Sequence, residues 1–265
     1  MKKRIFLVLL CLMLILPGCA AEEPQVTTPE TTYPAEETMP VTEPTVVETE
    51  PVVETEPATA LHSGLREDGS FDEGTWFIGD SMTCILISDY LRPNSLLGDA
   101  WYTGRYGARV VGFFDETVTM NARAHHCEFR PEHENMGYSQ VAQELGEQIT
   151  AIYMMFGTNH TIDAGSAAYI EIVDYLLETC PNATIHLELI PWGYFVVVKY
   201  EEVNGWLRET YAHYQAMGEE RVMLIDTYTA IGENTDEGYI HLNYQGNENW
   251  YNAIVAHARE NNLVQ

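Results

Sequence analysis

The sequence predicts a three-layer α/β/α sandwich around a mostly parallel sheet of about five strands. Two observations predict it. Beyond residue 60, apolar runs of strand length alternate with segments of helical period, and a β-α alternation calls for a parallel sheet covered by helices on both faces. The runs 150–156 and 183–190 are apolar almost throughout, as strands buried on both faces must be.

Taken in order, the strands are expected at 75–79, 99–103, 150–156, 183–190 and 221–226. Helices are expected at 81–91, 109–119, 139–148, 166–179, 200–217 and 244–260. Over 166–179, Ala168, Ile172, Tyr175, Leu176 and Thr179 recur at three- and four-residue steps, a helical stripe, and Pro181 follows as a stop. The stretch 120–138 has no clear period. Its length points to a lid or rim over a site, and its His and Cys spacings match no standard zinc pattern.

Three regions differ in composition. Residues 1–19 read as a signal peptide: Lys2, Lys3 and Arg4 precede an apolar run from Ile5 to Leu16, shorter than the roughly 20 residues a membrane span needs. Leu16-Pro17-Gly18-Cys19 resembles the bacterial lipobox, so Cys19 is the expected lipidation site. The expected location is therefore extracytoplasmic, with the chain lipid-anchored to the membrane or, alternatively, secreted. Residues 20–60 are rich in Pro, Thr, Glu and Val, with Tyr33 as their lone aromatic. Such a segment buries too little apolar surface to fold, and its prolines and like charges extend it as a spacer. Residues 61–265 remain as the folded domain, enough for one sizeable core.

The formal net charge is −27. That disfavours nucleic acid and other anionic polymers as partners. Of five cysteines, Cys11 falls in the signal and Cys19 in the lipobox. Cys84, Cys127 and Cys180 are left, an odd number that makes no full disulfide framework.

Chemistry concentrates in three short words. Gly79-Asp80-Ser81 follows the first expected strand, and Gly157-Thr158-Asn159 follows the third. His241 lies just before the last expected helix. A nucleophile, an amide donor and a histidine in this order are the parts of an acyl-transfer site. All three fall at the carboxyl ends of strands or in loops beyond, where ligands bind in such sheets.

These words resemble the Ser, Asn and His blocks of the SGNH/GDSL hydrolases, over roughly residues 74–260. The Ser block matches as Ile78-Gly79-Asp80-Ser81, the Asn block as Gly157-Thr158-Asn159, and the His block as His241 with Leu242, Asn243 and Gly246. The Gly block matches at Gly107, with Gly104 as the alternative. Asn204 and Asp226 also fall where relatives carry those residues. The resemblance implies a flavodoxin-like sheet, no cofactor and no metal, and a serine esterase mechanism. Ser81 would be the nucleophile and His241 its base, and the backbone N–H groups of Ser81 and Gly107 with the Asn159 amide would form the oxyanion hole.

Two positions depart from the family pattern. Relatives carry Asp three residues before the histidine, where this chain has Gly238. Asp236 and Glu237 lie just upstream as replacements, Asp236 first, and a backbone carbonyl orienting the imidazole is the third option. His160 stands where relatives often have Asp. The expected function is removal of acetyl or other short acyl groups from cell-wall or extracellular carbohydrate. Trp192-Gly193-Tyr194 is the aromatic rim candidate, with Trp76, Trp101 and Trp206 as further aromatics. A non-catalytic glycan-binding protein on the same fold is the alternative.

Overall fold

The structure, a computed structural model, describes residues 60–115, 128–129, 133, 135–159, 165–192, 200–235 and 241–265. Its strands are β1 (Thr75–Gly79), β2 (Trp101–Gly104), β3 (Glu128–Phe129), β4 (Ala151–Met155), β5 (Thr184–Glu188) and β6 (Val222–Ile225). They form one sheet in the order β3-β2-β1-β4-β5-β6. All neighbours are parallel except β3, which runs antiparallel to β2 at the edge. The five parallel strands thus follow the flavodoxin-like order. The chain steps from β1 to β2 on one side, then crosses to β4 on the other. That reversal opens a crevice beyond the carboxyl end of β1.

The helices are α1 (Ser81–Ile85), α2 (Tyr138–Leu145), α3 (Ser166–Thr179), α4 (Tyr200–Met217), α5 (Thr227–Ile231) and α6 (Tyr244–Glu260). α1 continues directly into a wider π-helical segment, Leu86–Leu91. α6 packs against this segment and α5, while α3 packs against α2 and α4. β1, β4 and β5 are buried along their whole length, which is why their sequences are mostly apolar, with His186 and Glu188 of β5 buried among them. Across the register Phe77, Tyr153 and His186 form one row, their rings stacked at centroid distances of 5.0 and 4.7 Å.

The expected helix over 109–119 is a correction. Its described part makes only a short 3-10 turn, Val110–Gly112. Two adjacent valines and a glycine weaken helix propensity there. Phe113 is instead buried, stacked on Tyr138 at 5.7 Å, and its carbonyl accepts from the Ser139 amide. The expected loop over 120–138 includes the edge strand β3 and the first residue of α2; most of its other residues, Cys127 among them, lie outside those described. On α3 the buried face is Tyr169, Ile172, Val173 and Leu176. The stripe is therefore rotated by about one position from the expected one, with Ala168 and Tyr175 at its border.

Candidate active site

The turn after β1 explains why Gly79, Asp80 and Ser81 come in that order. A Cβ on Gly79 would lie 2.2 Å from the Met155 carbonyl oxygen and 2.2 Å from Thr83 Oγ1, so no side chain fits. The Gly79 carbonyl accepts from the Arg105 amide at 3.1 Å and from the Tyr138 hydroxyl at 2.8 Å. Asp80 is the N-cap of α1, accepting from the Met82 amide at 3.0 Å. Its role there is to satisfy an amide that lacks a partner within the helix. Ser81 is then the first residue of α1 and is 7% exposed.

Asp80 has a second set of partners across the crevice. Its other carboxylate oxygen accepts from the Thr158 amide at 3.1 Å and from the Thr158 hydroxyl at 2.6 Å. Burial pushes the Asp80 carboxyl above its ordinary 3.8, while the bonds from Thr158 and Met82 pull it back. Gly157, with φ +151, starts this second loop. A Cβ there would press on Ile190 and Val203 at 2.7 and 2.8 Å. The half-buried Asn159 points its Nδ2 at the Ala108 carbonyl, 3.2 Å away, and at Thr158 Oγ1, 3.3 Å away.

The third component is the loop after β2. Gly104 is the last residue of β2, paired with Gly79. A Cβ there would meet Cys84 Sγ at 2.8 Å, so Gly104 serves close packing of strand and helix. Gly107 has φ +76 and open space where a Cβ would stand. It sits between Tyr106, whose ring lies edge-on to the His241 ring at 5.5 Å, and Ala108, which holds Asn159. Of the two glycines named from sequence, Gly107 is the one flanked by site residues.

His241 Nε2 lies 3.2 Å from Ser81 Oγ. Described residues near it are held by specific contacts. Thr235 and Leu242 form an antiparallel bridge, and Asn243 caps α6 through the Gly246 amide at 2.9 Å. Gly246 admits no side chain because the Asn234 carbonyl would stand 2.3 Å from a Cβ. Asp236, Glu237 and Gly238 lie outside the described residues, as do His160, Gly193, Tyr194 and Cys19.

The other named residues have structural work. Asn204 is buried and bonds the Ile190 amide and carbonyl at 2.8 and 3.0 Å, closing the chain after β5. Asp226 caps α5 through Thr229. Trp76 is fully buried and donates to Thr103 Oγ1 at 3.1 Å, which removes it from any rim. Trp101, Trp192 and Trp206 are half-buried. The link from Asp80 to Thr158 is not legible in the sequence, although both residues lie inside the Gly79–Ser81 and Gly157–Asn159 motifs.

No family model and no curated protein matches the chain. Solved structures are similar to it in backbone. One is a carbohydrate esterase family 3 protein from Talaromyces cellulolyticus, with 13% identity, 70% of this chain and 96% of that chain covered, and a TM-score of 0.48. Another is a lipase/acylhydrolase from Enterococcus faecalis, with 16% identity, 71% and 95% covered, and a TM-score of 0.47. A third is a family two carbohydrate esterase from Clostridium thermocellum in complex with cellohexaose, with 14% identity, 71% and 63% covered, and a TM-score of 0.49.

Proposed function

We propose that this chain is a serine ester hydrolase of the SGNH/GDSL kind, with Ser81 as nucleophile and His241 as its base. The observation that carries the reading is the 3.2 Å approach of His241 Nε2 to Ser81 Oγ, beyond the strand where the sheet order reverses. A serine hydroxyl attacks an ester only when a base takes its proton. An imidazole within hydrogen-bond reach meets that need. Oγ adds to the carbonyl carbon while His241 accepts the proton. The imidazolium then protonates the departing alcohol, leaving an acyl-enzyme on Ser81. Water, activated by the same histidine, releases the acid and restores the serine.

The tetrahedral intermediates carry negative charge on the former carbonyl oxygen, which preorganised donors must stabilise. We assign that role to the backbone N–H of Ser81, the backbone N–H of Gly107 and the Asn159 side-chain amide. Asp236, and after it Glu237, are the carboxylates assigned to orient His241.

For substrate we propose acetyl or other short acyl esters on cell-wall or extracellular carbohydrate. The support is the N-terminal sequence: a signal-like run, a lipobox-like Cys19 and an acidic Pro/Thr/Glu-rich segment would hold the domain outside the membrane among such polymers. Hydrolysis of p-nitrophenyl acetate and longer homologues by the full chain, beside Ser81→Ala, tests the reading. Turnover that vanishes in Ser81→Ala is expected. A folded wild-type chain inert towards every ester offered, acetylated wall glycans included, would favour the non-catalytic binding protein instead.

A further inference from the structure

The Asn159 amide has two ends of similar shape, and only the NH2 end can donate to an oxyanion. Something must fix which end faces which neighbour. The three residues Asp80, Thr158 and Asn159 form a chain of hydrogen bonds that does so. The Thr158 hydroxyl has a single hydrogen and gives it to Asp80 Oδ2 at 2.6 Å. Asp80 Oδ2 also accepts from the Thr158 amide at 3.1 Å, so it faces Thr158 as an acceptor and the hydroxyl is the donor. Towards Asn159, Thr158 Oγ1 then offers only a lone pair, and Asn159 Nδ2 donates to it at 3.3 Å. The Ala108 carbonyl is a second acceptor at 3.2 Å. A flipped amide would set Oδ1 against two oxygens.

We propose that Asp80 is a positioning residue that, through the Thr158 hydroxyl, fixes the Asn159 amide with its N–H groups turned to the site. This rests on the reading of Asn159 as an oxyanion donor. Both resting bonds of Nδ2 are longer than the usual N–H···O distance of about 2.9–3.0 Å. A developing oxyanion therefore draws one N–H away from a weak partner rather than a strong one. Asp80 also spans the crevice: one oxygen holds the Met82 amide beside Ser81, the other holds both Thr158 donors. An Asp80→Asn side chain would keep one oxygen and turn an NH2 on either the Met82 amide or the Thr158 pair, donor against donor.

Because Asp80 is fully buried, the decisive variants are at Thr158. Thr158→Val keeps the shape and removes the hydroxyl, and Thr158→Ser keeps the hydroxyl. With p-nitrophenyl acetate, kcat of Thr158→Val is expected to fall about 10- to 100-fold, as for small misplacements of a reacting group. Its KM should stay within about twofold, the pattern of an interaction made in the transition state. Thr158→Ser should turn over at the wild-type rate. Ser81-dependent turnover with a wild-type kcat in Thr158→Val, or an equal loss in Thr158→Ser, overturns the positioning role alone. Turnover that survives Ser81→Ala overturns the esterase reading and this role with it.

Discussion

Ser81 and His241 stand 160 residues apart in sequence and 3.2 Å apart in space. Ser81 is set by the Gly79 turn and the Asp80 cap, and His241 by the Thr235–Leu242 bridge and the Asn243 cap. Contacts that hold residues flanking a reacting group are what a preorganised site requires.

Gly79→Ala should unfold or distort the domain rather than merely slow it. The added methyl would lie 2.2 Å from a backbone carbonyl of β4, which cannot step aside as a side chain would. Overpacking of this kind costs about 1–3 kcal/mol and at times more. Urea unfolding of wild type and variant measures it; equal midpoints would contradict the close packing of β1 and β4.

Asn159→Ala should leave folding nearly intact, because the side chain is half-buried and its bonds are long. Loss of one oxyanion donor typically lowers kcat by about 10²–10³. Steady-state kinetics with p-nitrophenyl acetate should show this fall with KM little changed. A variant with wild-type kcat would remove Asn159 from the oxyanion hole.

If Asp236 orients His241, Asp236→Ala should lower kcat strongly; loss of the equivalent carboxylate in a serine protease costs about 10⁴. Glu237→Ala would then retain activity. Matching kinetics for wild type and both variants would leave a backbone carbonyl as the group that orients the ring.

Stability should peak in mildly acidic solution and fall on either side. Glu188 is fully buried, and burial pushes its carboxyl from 4.5 up to about 8, against the Trp250 Nε1 bond of 2.6 Å. Through that interval the folded chain keeps a proton that the unfolded chain has released, so stability drops as pH rises. His186 is moved the opposite way, from 6.5 to about 3, by burial and then by the nearby His257. The unfolded chain takes up a proton there that the folded chain refuses, so stability drops as pH falls. Glu188→Gln, which mimics the neutral acid, should lose less thermal midpoint than wild type between about pH 6 and about pH 9. An equal loss in both would mean Glu188 does not titrate in the fold.

Much of this was legible in the sequence because burial and motif spacing are local signals. β1, β4 and β5 are buried on both faces; β4 is apolar apart from its Tyr153 hydroxyl, whereas β5 also buries His186 and Glu188. α4 and α6 are long enough to repeat their period. α5 has five residues and is held by the Asp226 cap and by Tyr228 stacked on Tyr200 at 5.4 Å, neither of which a period reveals. β3 is two residues whose pairing exists only because β2 presents an edge. Gly104 and Gly107 look alike in sequence; Cys84 stands close behind Gly104, whereas Gly107 has a positive φ and open space. Asp80 reads as part of a turn motif, and its bonds to Thr158, 78 positions away, are visible only in three dimensions.

The most direct test is to treat the full chain with a serine-reactive fluorophosphonate and weigh the intact protein. One adduct mapping to Ser81, absent in Ser81→Ala and formed more slowly in His241→Ala, is the expected result. Ester hydrolysis by a chain that takes no adduct at Ser81, or labelling of Ser81 at the same rate without His241, would contradict the Ser81–His241 pair as the reacting centre.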